Sequence, residues 1–317
     1  MRRSVVLLSA SLLLFAAAGC SLRKKAVSTL GSALADSSAV YATESDPELV
    51  AEALPFALKT MEALILEQPD NRELLLAAGK GFAGYSWGFV QLEAERIEPE
   101  DYRRSEELRR RALALYLRAR DYSLRALAVG EPGIREELRR RPEEAVGALS
   151  GESLEEIYWT AASWGAAVSL GKDRPELLAD LGAVLALFGR ALELEPTWGD
   201  GLLHEAMISL KALPPSLGGD LEAAKRHFER AVELSGGNRA GPYVTYAQEV
   251  AVQTQDRSTY VDMLNRALEI DPGAVPERRL TNILMQEKAR WLLDRTDDYF
   301  IGGPDGENAG PSASGGR

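Results

Sequence analysis

The chain has 317 residues, 45% of them hydrophobic and 27% charged, and its formal net charge is −11. This acidic balance argues against nucleic-acid binding and against attraction to anionic lipid headgroups. The single cysteine, Cys20, excludes a disulfide within the chain.

Residues 1–19 predict a lipoprotein signal peptide. Two arginines precede an apolar run that is shorter than the roughly 20 residues a membrane-spanning helix needs, and small residues lead up to Cys20. Cysteine directly after Ala-Ala-Gly matches the bacterial lipobox, whose thiol receives a diacylglycerol. We therefore expect Cys20 to be lipidated in the periplasm, and Ser21 in place of Asp favours the outer over the inner membrane. The alternative is an ordinary signal peptide that happens to end near a cysteine.

The rest of the chain divides by composition into three parts. Residues 20–45 read as a lipid-attached tether, and Asp46-Pro47 predicts the first helix start of a helical domain over residues 46–301. Residues 302–317 are rich in glycine and nearly free of apolar residues, which predicts a disordered tail.

Helix signals recur throughout the domain. Capping-box spacings join Asp70 to Glu73, Ser153 to Glu156 and Asp173 to Glu176, and Asp220 stands before another helical segment. Apolar residues follow a period of 3.6 rather than the alternation of strands. The predicted fold class is all-α.

Three segments share the spacing found in the second helix of a tetratricopeptide repeat (TPR). This spacing predicts irregular TPR-like helical repeats in an α-solenoid or superhelical array, although any amphipathic helix that ends in proline could mimic it. The segments carry Val184, Phe188, Ala191 and Pro196; Ala224, Phe228, Ala231 and Gly236; and Tyr260, Leu264, Ala267 and Pro272.

Catalytic and cofactor motifs are missing from the sequence. His204 and His227 do not have metal-ligand spacing, and we find no nucleophile elbow, phosphate-binding loop or dinucleotide fingerprint. We expect no enzymatic activity, no metal and no cofactor.

Aromatic residues cluster in two helical segments that are interspersed with small residues. Gly79, Gly81, Gly84 and Gly88 are costly inside a helix and indicate that another backbone or a ligand approaches closely. The two segments predict an apolar ligand chamber, and core packing is the alternative. The candidate ligand-binding residues are Phe82, Tyr85, Trp87, Phe89, Trp159 and Trp164.

Five stretches, residues 46–71, 109–127, 158–181, 218–237 and 279–293, resemble the TatT family of TPR lipoproteins that accompany tripartite ATP-independent periplasmic (TRAP) transporters. The resemblance implies a lipid-anchored periplasmic protein that forms a homo-oligomer, with a trimer suspected. It also implies association with the transporter's solute-binding protein and an apolar cavity that binds or passes a small, partly apolar ligand. The family brings no catalytic residues. The competing interpretation is an outer-membrane TPR scaffold for protein assembly.

Replacing Cys20 tests the anchor. Because lipidation needs the thiol, Cys20→Ser should leave the protein uncleaved or release it from membranes, as detergent partitioning of cell fractions would show. A variant that still enters the detergent phase like the native protein would contradict the lipoprotein interpretation.

Overall fold

The computed structural model describes residues 38–301. Helices dominate this part of the chain and it contains no strand, which confirms the all-α prediction. None of the helices in this range is both long and apolar enough to cross a membrane. The predicted signal peptide, Cys20, most of the tether and the tail lie outside the described residues. The predicted helical domain divides into two compact units, one ending at Pro196 and the other beginning at Thr197.

The first unit is built around one long helix, α5. This helix packs against α3 and α8, which also touch each other, while α2 packs on α3 and α10 packs on α8. The helices are α1 (Ser38–Ala42), α2 (Pro47–Glu67), α3 (Arg72–Tyr85), α4 (Leu92–Ile97), α5 (Tyr102–Gly130), α6 (Ile134–Arg140), α7 (Pro142–Val146), α8 (Leu154–Leu170), α9 (Pro175–Leu178) and α10 (Leu181–Leu194).

The second unit has a short central helix, α13, that touches each of the other four. Helix α11 also pairs with α12, and α14 pairs with α15. The helices are α11 (Leu202–Lys211), α12 (Leu221–Ser235), α13 (Gly241–Tyr246), α14 (Arg257–Glu269) and α15 (Arg279–Asp294).

Two of the predicted helix starts are confirmed by side-chain caps, but Asp46 does not begin the first helix, because α1 (Ser38–Ala42) lies within the predicted tether. The Asp46 carboxylate accepts hydrogen bonds from the backbone N–H groups of Glu48 and Leu49, and Pro47 opens α2. Asp220 caps α12 by accepting from the N–H of Ala223.

None of the three predicted capping boxes forms. Helix α3 is capped by Asn71 rather than by Asp70, and Asn71 accepts from the N–H of Leu74. Ser153 precedes α8 without a side-chain cap. Its expected partner, Glu156, is instead buried in an ion pair with Arg72. No side chain caps α9, which begins two residues after Asp173.

Most of the TPR-like helix positions are buried, as a helix-pair interface requires, whereas Phe228 is half-buried. Val184, Ala191, Ala224, Ala231, Tyr260, Leu264 and Ala267 are each 0% exposed. Burial at these positions fits close helix pairing, and the superhelical arrangement of the pairs stays a prediction.

Each unit contains one π-helical segment, Ser86–Gln91 in the first and Ala247–Ala251 in the second. In the first, the N–H of Leu92 donates to the carbonyl of Trp87, five residues earlier. In an α-helix, side chains four residues apart differ in direction by about 40°. The wider turn of the π segment offsets this difference. Ser86, Val90 and Ala94 therefore share one fully buried face. The Ser86 hydroxyl donates to the Ala112 carbonyl of α5 at 2.9 Å.

Gly79 brings α3 and α5 close together. A Cβ atom at this position would lie 2.1 Å from Oγ and 3.1 Å from the backbone nitrogen of Ser123, and 3.2 Å from the carbonyl oxygen of Ala119. The same addition at Gly84 would meet open space. The close approach expected in the glycine-rich segment is thus made by a neighbouring helix at Gly79.

A pair of matched substitutions tests this contact. Gly79→Ala should lower the free energy of unfolding by about 1–3 kcal/mol, because the added methyl forces α5 to shift. Gly84→Ala should raise it by about 0.5–1 kcal/mol, because alanine favours the helix and meets nothing. Urea unfolding followed by circular dichroism measures both. Equal effects of the two substitutions would contradict the close contact.

Candidate functional site

The six residues predicted to bind a ligand all lie in the first unit. Phe82 and Tyr85 close α3, Trp87 and Phe89 belong to its π segment, and Trp159 and Trp164 lie on α8. The side chains of α3 and α8 come together directly through an ion pair between Lys80 and Glu155.

Phe82 is part of the packed region between α3 and α5. Its ring is 3% exposed and stacks on Tyr122 with 5.8 Å between the centroids. The Arg118 guanidinium lies 5.3 Å from the Phe82 centroid. The Tyr122 hydroxyl donates to Glu62 at 2.9 Å. Burial and this carboxylate raise the pKa of Tyr122 to about 12.

Tyr85, Trp87 and Phe89 are half-buried. Tyr85 and Phe89 have centroids 5.8 Å apart, and Arg111 donates to the Tyr85 hydroxyl at 3.2 Å. Tyr85 and Trp87 both pack against one buried cluster that includes Val90 and residues of α4, α5 and α8. These rings therefore border the core with part of their surface uncovered.

The two tryptophans of α8 differ in environment. Trp164 is 1% exposed, and its indole N–H donates to Asp180 Oδ2 at 2.9 Å. Arg120 lies 5.3 Å from the Trp164 ring and 3.8 Å from the same Asp180 oxygen. Trp159 is half-buried, with its ring edge-on to that of Tyr158 at 5.2 Å. Trp159 is thus the tryptophan of α8 with surface left to contact a ligand.

Two hydroxyls on α8 are buried without a hydrogen-bond partner among the described residues. Thr160 and Ser163 are each 0% exposed, and neither Oγ atom is paired. Serine and threonine inside a helix commonly bond to the carbonyl four residues earlier, and unpaired buried hydroxyls are rare. Sequence reasoning missed these two hydroxyls. The feature that could have indicated them is their position between the two tryptophans of a helix that is otherwise mostly apolar there. They are groups that ordered water or a bound molecule could satisfy.

A partly buried ion pair holds the start of α8 against α3. Glu156 has a side chain 6% exposed and accepts a hydrogen bond from Nε of Arg72. Arg72 also donates to the Glu152 carbonyl at 2.8 Å. The hydrogen bond to Glu156 raises the pKa of Arg72. Removing either partner would leave the other charge unpaired in a partly buried position. The intact pair therefore favours one spacing of α3 and α8.

The second unit contains a groove of about 520 Å³ between α12, the π segment after α13, and α14. Half-buried Phe228 and Tyr246 lie in it, and the carboxylates of Glu222, Glu229 and Asp256 border it. We call this feature the acidic groove. Sequence analysis did not identify it, because its residues come from three separate helices.

His204 and His227, which the sequence treated separately, are brought together in the second unit. Their Nδ1 atoms are 2.8 Å apart and their ring centroids 5.0 Å apart. The rings therefore point almost head to head, as in an N–H···N hydrogen bond, and their lone pairs do not converge on a common metal position. Burial, His204 and two nearby cations lower the pKa of His227 to about 4. Among residues 38–301, no three His, Cys, Asp or Glu side chains are arranged to hold a metal.

Two comparisons with known proteins identify what the chain is similar to. The chain is 32% identical over 303 residues to a protein of Treponema pallidum (strain Nichols) described as uncharacterized, an alignment that covers 90% of this chain and 94% of the relative. A family described as the TRAP transporter T-component, TAtT, matches residues 43–300. The match covers helices α2 to α15 and every candidate residue except Cys20. The chain belongs to the TRAP transporter T-component family.

Proposed function

We propose that this protein is a lipid-anchored, non-enzymatic periplasmic accessory of a TRAP transporter that associates with the solute-binding protein. The observation that carries the proposal is the family match across residues 43–300, which assigns the chain an accessory role in such a transporter. Anchoring would occur through Cys20, with the outer membrane favoured over the inner. A homo-oligomer, suspected to be a trimer, belongs to the same proposal.

The ligand part of the proposal is supported by the first unit. Tyr85, Trp87, Phe89 and Trp159 keep part of their surface uncovered beside a packed core. Aromatic surface of this kind binds apolar ligand groups, and a few polar groups orient them. The π segment under Trp87 and Phe89 supports the same location, because such segments frequently occur at functional sites. Phe82 and Trp164 would then support the site from behind, since both are buried.

The scaffold alternative has one observation in its favour. The acidic groove of the second unit presents aromatic and charged side chains to solvent. A groove on paired helices is a surface that other proteins can use. The two interpretations are compatible if each unit has its own binding partner.

Ligand binding can be tested with 1-anilinonaphthalene-8-sulfonate, a probe with an apolar body and one acidic group. We expect its fluorescence to rise on the mature protein, and Trp159→Ala to weaken binding about tenfold by removing half-buried aromatic contact surface. Titration of the probe at fixed protein concentration gives both dissociation constants.

The matched control is Trp291→Ala in the second unit, where Trp291 lies under Arg295. This variant should bind the probe like the native protein. Equal loss in the two variants, or none in Trp159→Ala, would argue against a ligand site beside α8.

Native mass spectrometry tests the proposed partner. The mature protein mixed with the TRAP solute-binding protein of the same organism should give a complex mass absent from either sample alone. A solute-binding protein from an ATP-driven transporter serves as the control and should give no complex. Absence of both complexes would contradict the association.

A further inference from the structure

The acidic groove has a floor of aromatic rings. Phe228 and Tyr246 lie 4.5 Å apart between centroids with a 32° tilt, and Tyr243 meets Phe228 edge-on at 5.6 Å. Phe228 and Tyr246 also pack against a buried cluster that includes Val250. The two rings are thus backed by buried side chains, and aromatic faces of this kind attract ammonium and guanidinium groups.

The rim of the groove carries more negative than positive charge. Glu222 and Glu229 project from α12, Asp256 stands at the start of α14, and Lys225 is the one cation among the lining residues of this groove. Asp256 caps α14 by accepting hydrogen bonds from the hydroxyl and the backbone N–H of Thr259. These two bonds lower the pKa of the Asp256 carboxyl and keep it ionised.

The other acids of α12 and its cap are paired, whereas the two groove acids of this helix are not. Asp220 lies 3.7 Å from Arg226, and Glu233 lies 2.6 Å from Arg230. Glu222 and Glu229 take part in no ion pair within residues 38–301. Both carboxylates are exposed, so they are available to an external cation.

The field of these carboxylates reaches the groove floor. Burial raises the pKa of the Tyr246 hydroxyl, and Glu222, Glu229 and Asp256 raise it further. All three acids thus act on one point in the groove, where a positive group would be favoured.

We propose that the acidic groove docks a basic, partly apolar segment of a partner polypeptide. Arginine or lysine side chains of the segment would lay their methylenes on Leu221 and Met263 and place their charged heads at the rim. Carboxylates on two sides of the groove fit several cations on one chain better than a single small amine. The proposal goes beyond the transport role, since it holds whichever protein carries the segment.

Fluorescence anisotropy on the mature protein tests the docking. The probe is a fluorescein-labelled octapeptide of alternating leucine and arginine, compared with the same peptide carrying glutamate in place of arginine. We expect the basic peptide alone to bind, more weakly as salt rises. The double variant Glu222→Gln/Glu229→Gln should weaken binding roughly tenfold, because each exposed ion pair contributes about threefold to fivefold.

The matched control is Glu233→Gln/Glu269→Gln, which removes the same charge from exposed positions outside the groove. It should change the affinity less than twofold. Equal weakening by the two double variants would mean that net charge alone attracts the peptide, and would overturn the proposal. So would binding of the acidic peptide, no binding of the basic one, or arginine amide binding as tightly as the octapeptide. A failed complex with the solute-binding protein would leave the peptide result unchanged, so the two proposals fail separately.

Discussion

The close contact of α3 with α5 at Gly79 is the constraint on which the first unit depends. Gly79 contributes no side chain there, so the side chain and backbone of Ser123 fix where α3 can lie. Helix α5 packs on α8 as well, so α5 positions both of the helices that carry candidate ligand-binding residues. The ion pair between Arg72 and Glu156 sets the distance between α3 and α8 at another point. Together these contacts hold the half-buried aromatic rings of α3 and α8 in a defined relation to one another.

Local sequence rules predicted most of the secondary structure and failed where tertiary contacts compete with them. Asp46 and Asp220 cap their helices through hydrogen bonds to backbone N–H groups two or three residues ahead, and Asp220 does so although Arg226 lies 3.7 Å away. Glu156 had the right spacing for a capping box, yet Arg72, 84 residues away along the chain, binds its carboxylate. The π segments were also missed, since nothing in a 3.6-residue period indicates one added residue.

The sequence indicated which helices carry the candidate residues, but not which of these residues are exposed. Tryptophans and small residues identified α8, but the periodicity could not separate buried Trp164 from half-buried Trp159. That difference depends on Asp180 and Arg120, which come from other segments of the chain. The histidine pair shows the same limit, because residues 23 apart meet only through the pairing of α11 with α12.

The π segment at Ser86–Gln91 makes this part of the chain tolerant of a one-residue change in length. A π turn closes over five residues where an α turn closes over four, so both cover about one rotation of the helix. Removing one residue from the segment would therefore give an uninterrupted α-helix whose two ends keep their directions. Ala94 would stay on the buried face, and the helix ending at Ile97 would meet α5 with the same side. A one-residue gap inside α5, by contrast, would rotate everything beyond it by about 100°.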